Sequence, residues 1–108
     1  MSGPVPIIEV QELAKLLERG ACLIDVREPD EFTEARAPGA SLIPLQSLPS
    51  RMGEVPGDRT VYVICKSGGR SAKAVEFLRA NGIDAINVAG GTLAWLEAGF
   101  PHESGPNS

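Results

Sequence analysis

Val61-Tyr62-Val63-Ile64-Cys65-Lys66-Ser67-Gly68-Gly69-Arg70-Ser71, followed by Ala72 to Ala80, reads as a strand, a loop and a helix in succession. Val61 to Ile64 is an unbroken apolar run of strand length, the pattern of a strand covered on both faces. From Ser71 to Ala80 the period changes. Ala74, Phe77 and Leu78 share one side with Val75 beside them, and Lys73, Glu76 and Arg79 take the other. Asn81-Gly82 closes the helix. In the loop, two glycines let the backbone curl tightly. Successive N–H groups then point inward as an anion-holding nest, and the helix adds its positive end. A thiol in such a cup ionises more easily than a free cysteine. Lys66 and Arg70 add positive charge. Two readings follow: Cys65 is a nucleophile beside a bound anion, or it is a buried strand-end cysteine before an ordinary turn.

Outward from this stretch the same alternation recurs. Downstream, Ala85 to Val88 is a strand, and Gly90-Gly91 leads into a helix over Thr92 to Glu97, ended by Gly99. Upstream, Ile7 to Val10 is a short strand. Gln11 to Arg19 is a helix with Leu13, Leu16 and Leu17 on one side, and Gly20 ends it. Ala21 to Val26 is a strand, Asp30 to Ala35 a short helix after Pro29, and Ser41 to Ile43 a strand stopped by Pro44. Leu45 to Met52 is weakly helical with Pro49 inside it. Pro38-Gly39 and Pro56-Gly57-Asp58 are turns. Met1 to Pro6 reads as a flexible lead-in and His102 to Ser108 as a frayed tail. The chain is thus expected to be one domain, 1–108, with its core over about 7–101.

Strands alternating with helices define an α/β protein, a parallel sheet with helices on its faces. Such sheets bind ligands beyond the carboxyl ends of their strands. Cys65, the pair Asp25 and Arg27, and Gly90-Gly91 all follow strand ends and should share that edge. Cys22 opens its strand, about 10 Å from the Asp25 end at roughly 3.3 Å per residue. A disulfide to Cys65 is therefore not expected, and Cys22 reads as an inert core cysteine.

A length of 108 residues suits a single core. The net charge of −4 and the sparse aromatics argue against a nucleic-acid surface. No apolar stretch approaches the roughly 20 residues of a membrane span, and no signal peptide is visible. A reducing cytoplasm with free thiols is the expectation. The single histidine, His102, lies in the expected tail, so any chemistry at Cys65 works without an imidazole base. One histidine and two separated cysteines make a poor zinc set, and no metal or organic cofactor is expected. Asp30 and Glu31 suit the first turn of a helix, and Glu28 and Glu34 read as solvated. Asp25 and Arg27 are expected to fix neighbouring loops. The glycine loop lacks the Gly-Lys-Ser/Thr ending of a Walker A motif. Trp95 reads as core filler.

With these residues in place, the chain resembles the rhodanese family in its single-domain form, over about residues 7–101. The resemblance is carried by Leu23-Ile24-Asp25-Val26-Arg27-Glu28, Pro38-Gly39-Ala40, Val63 through Ser71, and Gly90-Gly91 through Trp95 to Gly99-Phe100-Pro101. It implies a three-layer α/β/α sandwich whose five-stranded parallel sheet is ordered 1-5-4-2-3. It also implies sulfur transfer. Cys65 takes a sulfane sulfur from a donor such as thiosulfate, becomes a persulfide, and yields the sulfur to cyanide or to a thiol such as glutathione or a thioredoxin-like protein. Ser67, Gly68, Gly69, Arg70 and Ser71 surround the sulfur through their amides, and Lys66 and Arg70 attract the anionic donor.

One departure stands out. Ala35-Arg36-Ala37 occupies the place of the family's frequent Gly-His-Ile, and Arg36 is expected to be solvated. Three other functions compete. Dual-specificity phosphatases of this fold, and arsenate reduction with them, use five residues between cysteine and arginine. Here only Lys66, Ser67, Gly68 and Gly69 intervene, a shorter cup that suits one sulfur atom. A sulfur carrier would pass the same persulfide to a protein partner. A non-catalytic binding module of this family commonly lacks the cysteine, which this chain keeps.

Overall fold

The computed structural model of the chain describes residues 4–106. Its elements alternate: β1 (Ile7–Ile8), α1 (Val10–Glu18), β2 (Cys22–Asp25), α2 (Pro29–Glu34), β3 (Ser41–Leu42), a 3₁₀ stretch (Leu45–Glu54), β4 (Val61–Ile64), α3 (Gly69–Ala80), β5 (Ala85–Val88) and α4 (Gly91–Glu97). The sheet runs β1-β5-β4-β2-β3 with every neighbouring pair parallel. This is the α/β/α sandwich and strand order that the resemblance implies.

The two-residue period of the strands sorts the core. From β2 and β4, Ile24, Val61 and Val63 join Ala74, Val75 and Leu78 of α3 and Leu48 of the 3₁₀ stretch. Leu23 and Ile64 face the other way, with Val10 and Leu13 of α1 and Trp95 of α4. The central strands are covered on both sides, which is why they read as continuous apolar runs. Cys65 extends the alternation of β4 to the α3 side.

Element ends differ from the sequence reading by a residue or two, with one informative case. The third helix begins at Gly69 rather than Ser71, because the glycines themselves enter its first turn. The tail reading needs correction. Arg36 and Glu103 exchange both backbone hydrogen bonds at 2.9 Å, the Ser104 hydroxyl donates to the Glu34 carbonyl, and Gly105 N donates to the Thr33 carbonyl. Residues 103–105 are thus docked on α2 and the chain after it. At the other end, the Pro6 carbonyl accepts from Asn87 N. The expected mobility of residues 1–3, 107 and 108 lies outside the described residues.

Arg36 is not solvated. It is 6% exposed, stacks over the Phe32 ring at 4.7 Å, and donates to the carbonyls of Phe32 and Gly105. A planar guanidinium fits this position because its several N–H groups meet carbonyls while its face meets an aromatic ring. Arg36 is thus a contact point between the chain after α2 and the tail.

Candidate active site

The sequence-selected residues converge beyond the carboxyl ends of the strands. Strands β2 and β4 are neighbours, with Asp25 opposite Ile64, so Cys65 emerges beside Val26 and Arg27. The thiol side chain is almost wholly enclosed at 1% residue exposure. Gly68 N donates to Cys65 Sγ at 3.0 Å and the Ser71 hydroxyl lies 3.2 Å from it. Burial alone would push the Cys65 thiol up. Hydrogen bonds from the Ser71 hydroxyl and from the amides of Ser71, Gly68 and Ser67 outweigh it and hold the thiol below its ordinary range. Three of the five amides expected in the nest, those of Ser67, Gly68 and Ser71, thus act on the thiol.

Two backbone features build the cup. Gly68 takes φ +116° as the cap of α3, a conformation a side chain would strain. Gly91, at φ +59°, is packed so closely that a Cβ would lie 2.5 Å from the carbonyl oxygens of Cys65 and Lys66. The first turn of α4 takes up those carbonyls: Thr92 N and its hydroxyl donate to the Cys65 carbonyl, and Leu93 N to the Lys66 carbonyl. With the carbonyls held outward by α4, the loop's amides are left to face inward. Gly90-Gly91 therefore acts on the loop's backbone, a role that glycine spacing alone did not specify.

The charges around the cup are mostly paired. Arg27 binds Asp25 through its backbone N, Nε and Nη2, and the same Nη2 reaches the Ala35 carbonyl at 2.7 Å. Both residues are buried, so this pair fixes the chain after β2 to the stretch before β3. Arg70 sits in the first turn of α3, the unfavourable end for a cation. Glu31 offsets this with a two-point ion pair at 2.8 and 2.9 Å. The Arg70 guanidinium, chiefly by hydrogen bonding, holds the Glu31 carboxyl down to about 2, and Glu31 in turn raises Arg70. Glu31 also accepts from Glu28 N, closing a capping box at the start of α2. Lys66 is exposed and enters none of the ion pairs found among the described residues.

Three further groups belong to this assembly: Glu31, Thr92 and Asn87. The Asn87 side chain meets the Ser71 hydroxyl and the Gly68 carbonyl from β5. A buried asparagine between Ile86 and Val88 is itself a sequence signal, since the residue is disfavoured inside strands. Cys22 lies at the opposite end of β2; both cysteines are free. Its thiol is raised by burial, against a smaller opposing pull from Arg59. Trp95 is buried between α1 and the chain after α4, and its indole N–H donates to the Pro101 carbonyl. No helix among the described residues is long and apolar enough to cross a membrane.

The site thus places a thiol at a strand end, ringed by hydrogen-bond donors at the start of a helix. The model of the rhodanese-like domain matches residues 9–98, and the chain belongs to that family. A sulfurtransferase of Allochromatium vinosum is 39% identical over 80 residues, covering 73% of this chain and 75% of that protein. The probable adenylyltransferase/sulfurtransferase MoeZ of Mycobacterium tuberculosis is 40% identical over 95 residues, 83% of this chain and 24% of MoeZ. Among solved structures, a rhodanese-related protein from Thermoplasma volcanium superposes with TM-score 0.86 at 33% identity, covering 91% of this chain and 97% of that one.

Proposed function

We propose that the chain is a thiosulfate sulfurtransferase whose chemistry resides in a single domain, with Cys65 as nucleophile and Lys66, Ser67, Gly68, Gly69, Arg70 and Ser71 as the sulfur-binding loop. The observation that carries this reading is the amide cup around Cys65 Sγ. In the first half-reaction the Cys65 thiolate attacks the sulfane sulfur of thiosulfate. An S–S bond to Cys65 forms, the bond to the sulfonate sulfur breaks, and sulfite leaves with that electron pair. The negative charge now rests on the outer sulfur, where the inward amides stabilise it. In the second, a thiolate or cyanide attacks the outer sulfur and the Cys65 thiolate leaves. No proton needs to move in either step, so the reaction requires no imidazole base.

The charge pairing favours sulfur over phosphate. A phosphatase of this fold wraps a tetrahedral oxyanion with its arginine, whereas Arg70 is engaged by Glu31. Lys66, which enters no ion pair among the described residues, is the charge that draws an anionic donor to the mouth. Asp25 and Arg27 support the loop wall rather than touch the donor.

The test is intact-protein mass after thiosulfate, with and without cyanide. A gain of about 32 Da, mapped to Cys65 and removed by cyanide, is expected. A free thiol that gains no mass would overturn thiosulfate as donor. A second reading, a carrier that hands its persulfide to a protein acceptor, draws on the likeness to MoeZ, whose name pairs adenylyl transfer with sulfur transfer. It predicts loading from a protein persulfide with little turnover on cyanide. Glutathione or a thioredoxin-like protein in the cytoplasm is the acceptor class proposed for the enzyme reading.

A further inference from the structure

The Ser71 hydroxyl has one proton and three acceptors within reach: Cys65 Sγ at 3.2 Å, the Gly68 carbonyl at 3.2 Å, and Asn87 Oδ1 at 2.5 Å. The Gly68 carbonyl already accepts from Ala72 N at 3.1 Å and from Asn87 Nδ2 at 3.2 Å. The second of these bonds fixes how the Asn87 amide is turned. Its NH₂ must face the Gly68 carbonyl, because a carbonyl oxygen there would meet another oxygen. Its Oδ1 therefore faces Ser71. Asn87 Oδ1 can only accept, so it takes the Ser71 proton whenever the thiolate does not.

We infer that Asn87 is a positioning residue that competes with Cys65 for the single hydroxyl proton of Ser71, and so favours the protonated or sulfur-loaded cysteine over the free thiolate. When Cys65 is a thiolate, the hydroxyl turns to Sγ and leaves Asn87 Oδ1 buried without a donor. When sulfur is attached, the charge moves to the outer sulfur and Sγ becomes a weak acceptor. The proton then returns to Asn87. Loading thus recovers a hydrogen bond that the free thiolate forfeits. This rests on Cys65 being the reactive thiol of the proposed reaction. The charged groups around it are Lys66 in the loop, Arg70 of α3, Glu31 of α2 bound to Arg70, and the Asp25–Arg27 pair at the end of β2; Arg70 feels both Cys65 and Asp25. None of them is a hydrogen-bond partner of the Asn87 side chain, which meets Ser71 and the Gly68 carbonyl.

The sign of the effect separates this role from a purely structural one. If Asn87 merely braced the loop, removing it would disorder the amides and make Cys65 harder to ionise. Competition predicts the reverse. The experiment is the pH profile of Cys65 alkylation by iodoacetamide, read by peptide mass, in the wild type, Asn87→Leu, Ser71→Ala and the double variant. Asn87→Leu keeps the shape and removes both polar atoms. Its midpoint is expected to fall by about one pH unit, the scale of one hydrogen bond to a charged group. In the Ser71→Ala background the same change is expected to do nothing. A midpoint that rises or stays, or a shift that persists without the Ser71 hydroxyl, overturns the inference. Asn87→Ala serves with the same expectations if the leucine variant does not fold. Alkylation reads the thiol whether or not sulfur is transferred. A downward shift in a protein that gains no sulfur from any donor would sustain Asn87's role while removing the proposed reaction.

Discussion

Cys22 and Cys65 lie at opposite ends of neighbouring strands, and their surroundings push them in opposite directions. Both are penalised by burial. Cys22 is the less enclosed of the two, yet its thiol is raised, while the almost fully enclosed Cys65 is lowered. Burial therefore does not decide the outcome; the supply of hydrogen-bond donors does. At the start of β2 the thiol packs against the apolar core and feels the charge of Arg59. At the end of β4 it meets three amides and a hydroxyl, because the chain there curls into a helix. In a parallel sheet, helix N-termini and inward amides gather at the carboxyl edge, so the thiol is held up at one end and brought down at the other.

The sharpest break of this contrast is substitution. Cys65→Ser is expected to lower sulfur transfer to background, a loss on the order of a thousandfold or more, with the fold retained. Cys22→Ser should leave turnover within about twofold, since an exchange remote from the site is additive with it. Turnover surviving in the first variant would move the nucleophile elsewhere.

Gly91→Ala tests whether the cup depends on α4. A Cβ there collides with the carbonyls of Cys65 and Lys66. A loss of about 1–3 kcal/mol in denaturant unfolding is expected, together with a Cys65 alkylation midpoint shifted up toward that of Cys22. An unchanged midpoint would show that the amides hold their aim without α4.

Titration sharpens the comparison without mutation. Because the Cys65 pKa is lowered, its thiolate and its alkylation should appear at lower pH than those of Cys22, whose pKa is raised. In urea the two profiles should merge. Profiles that coincide in the native protein would show that the loop amides do not tune the thiol.

The smallest effect is expected at Lys66, an exposed charge. Lys66→Ala should reduce kcat/KM for thiosulfate by about two- to fivefold, more than for a persulfide donor that lacks the sulfonate. Equal losses for the two donors would mean that the charge does not select between them.

Much of this was legible in the sequence because it depends on local pattern. The strands Val61–Ile64 and Ala85–Val88 are bounded as read, since an apolar run between turns leaves little choice. Strand alternation alone placed Cys65, Asp25 and Gly91 at one edge. Pairings across elements were not legible. Asp30 and Glu31 are alike as first-turn acids, and only the approach of α2 to α3 selects Glu31 for Arg70. Arg36 read as solvated because a buried arginine needs carbonyl partners and an aromatic face, and Phe32, Gly105 and Glu103 are supplied by the folded chain. The tail appeared frayed for the same reason: its anchor is a side chain about 70 residues earlier.

The junction of loop and α4 also gives the molecule an optical channel. Thr92 holds the Cys65 carbonyl, and one helical turn later stands Trp95, the chain's single tryptophan, stacked near Phe100 at 4.7 Å. If sulfur loading at Cys65 displaces the loop, the hydrogen bond at Thr92 couples that displacement to the turn that carries the indole. The emission of an unlabelled sample should follow the loading cycle in real time, and the signal should be lost when Cys65→Ser leaves nothing to load.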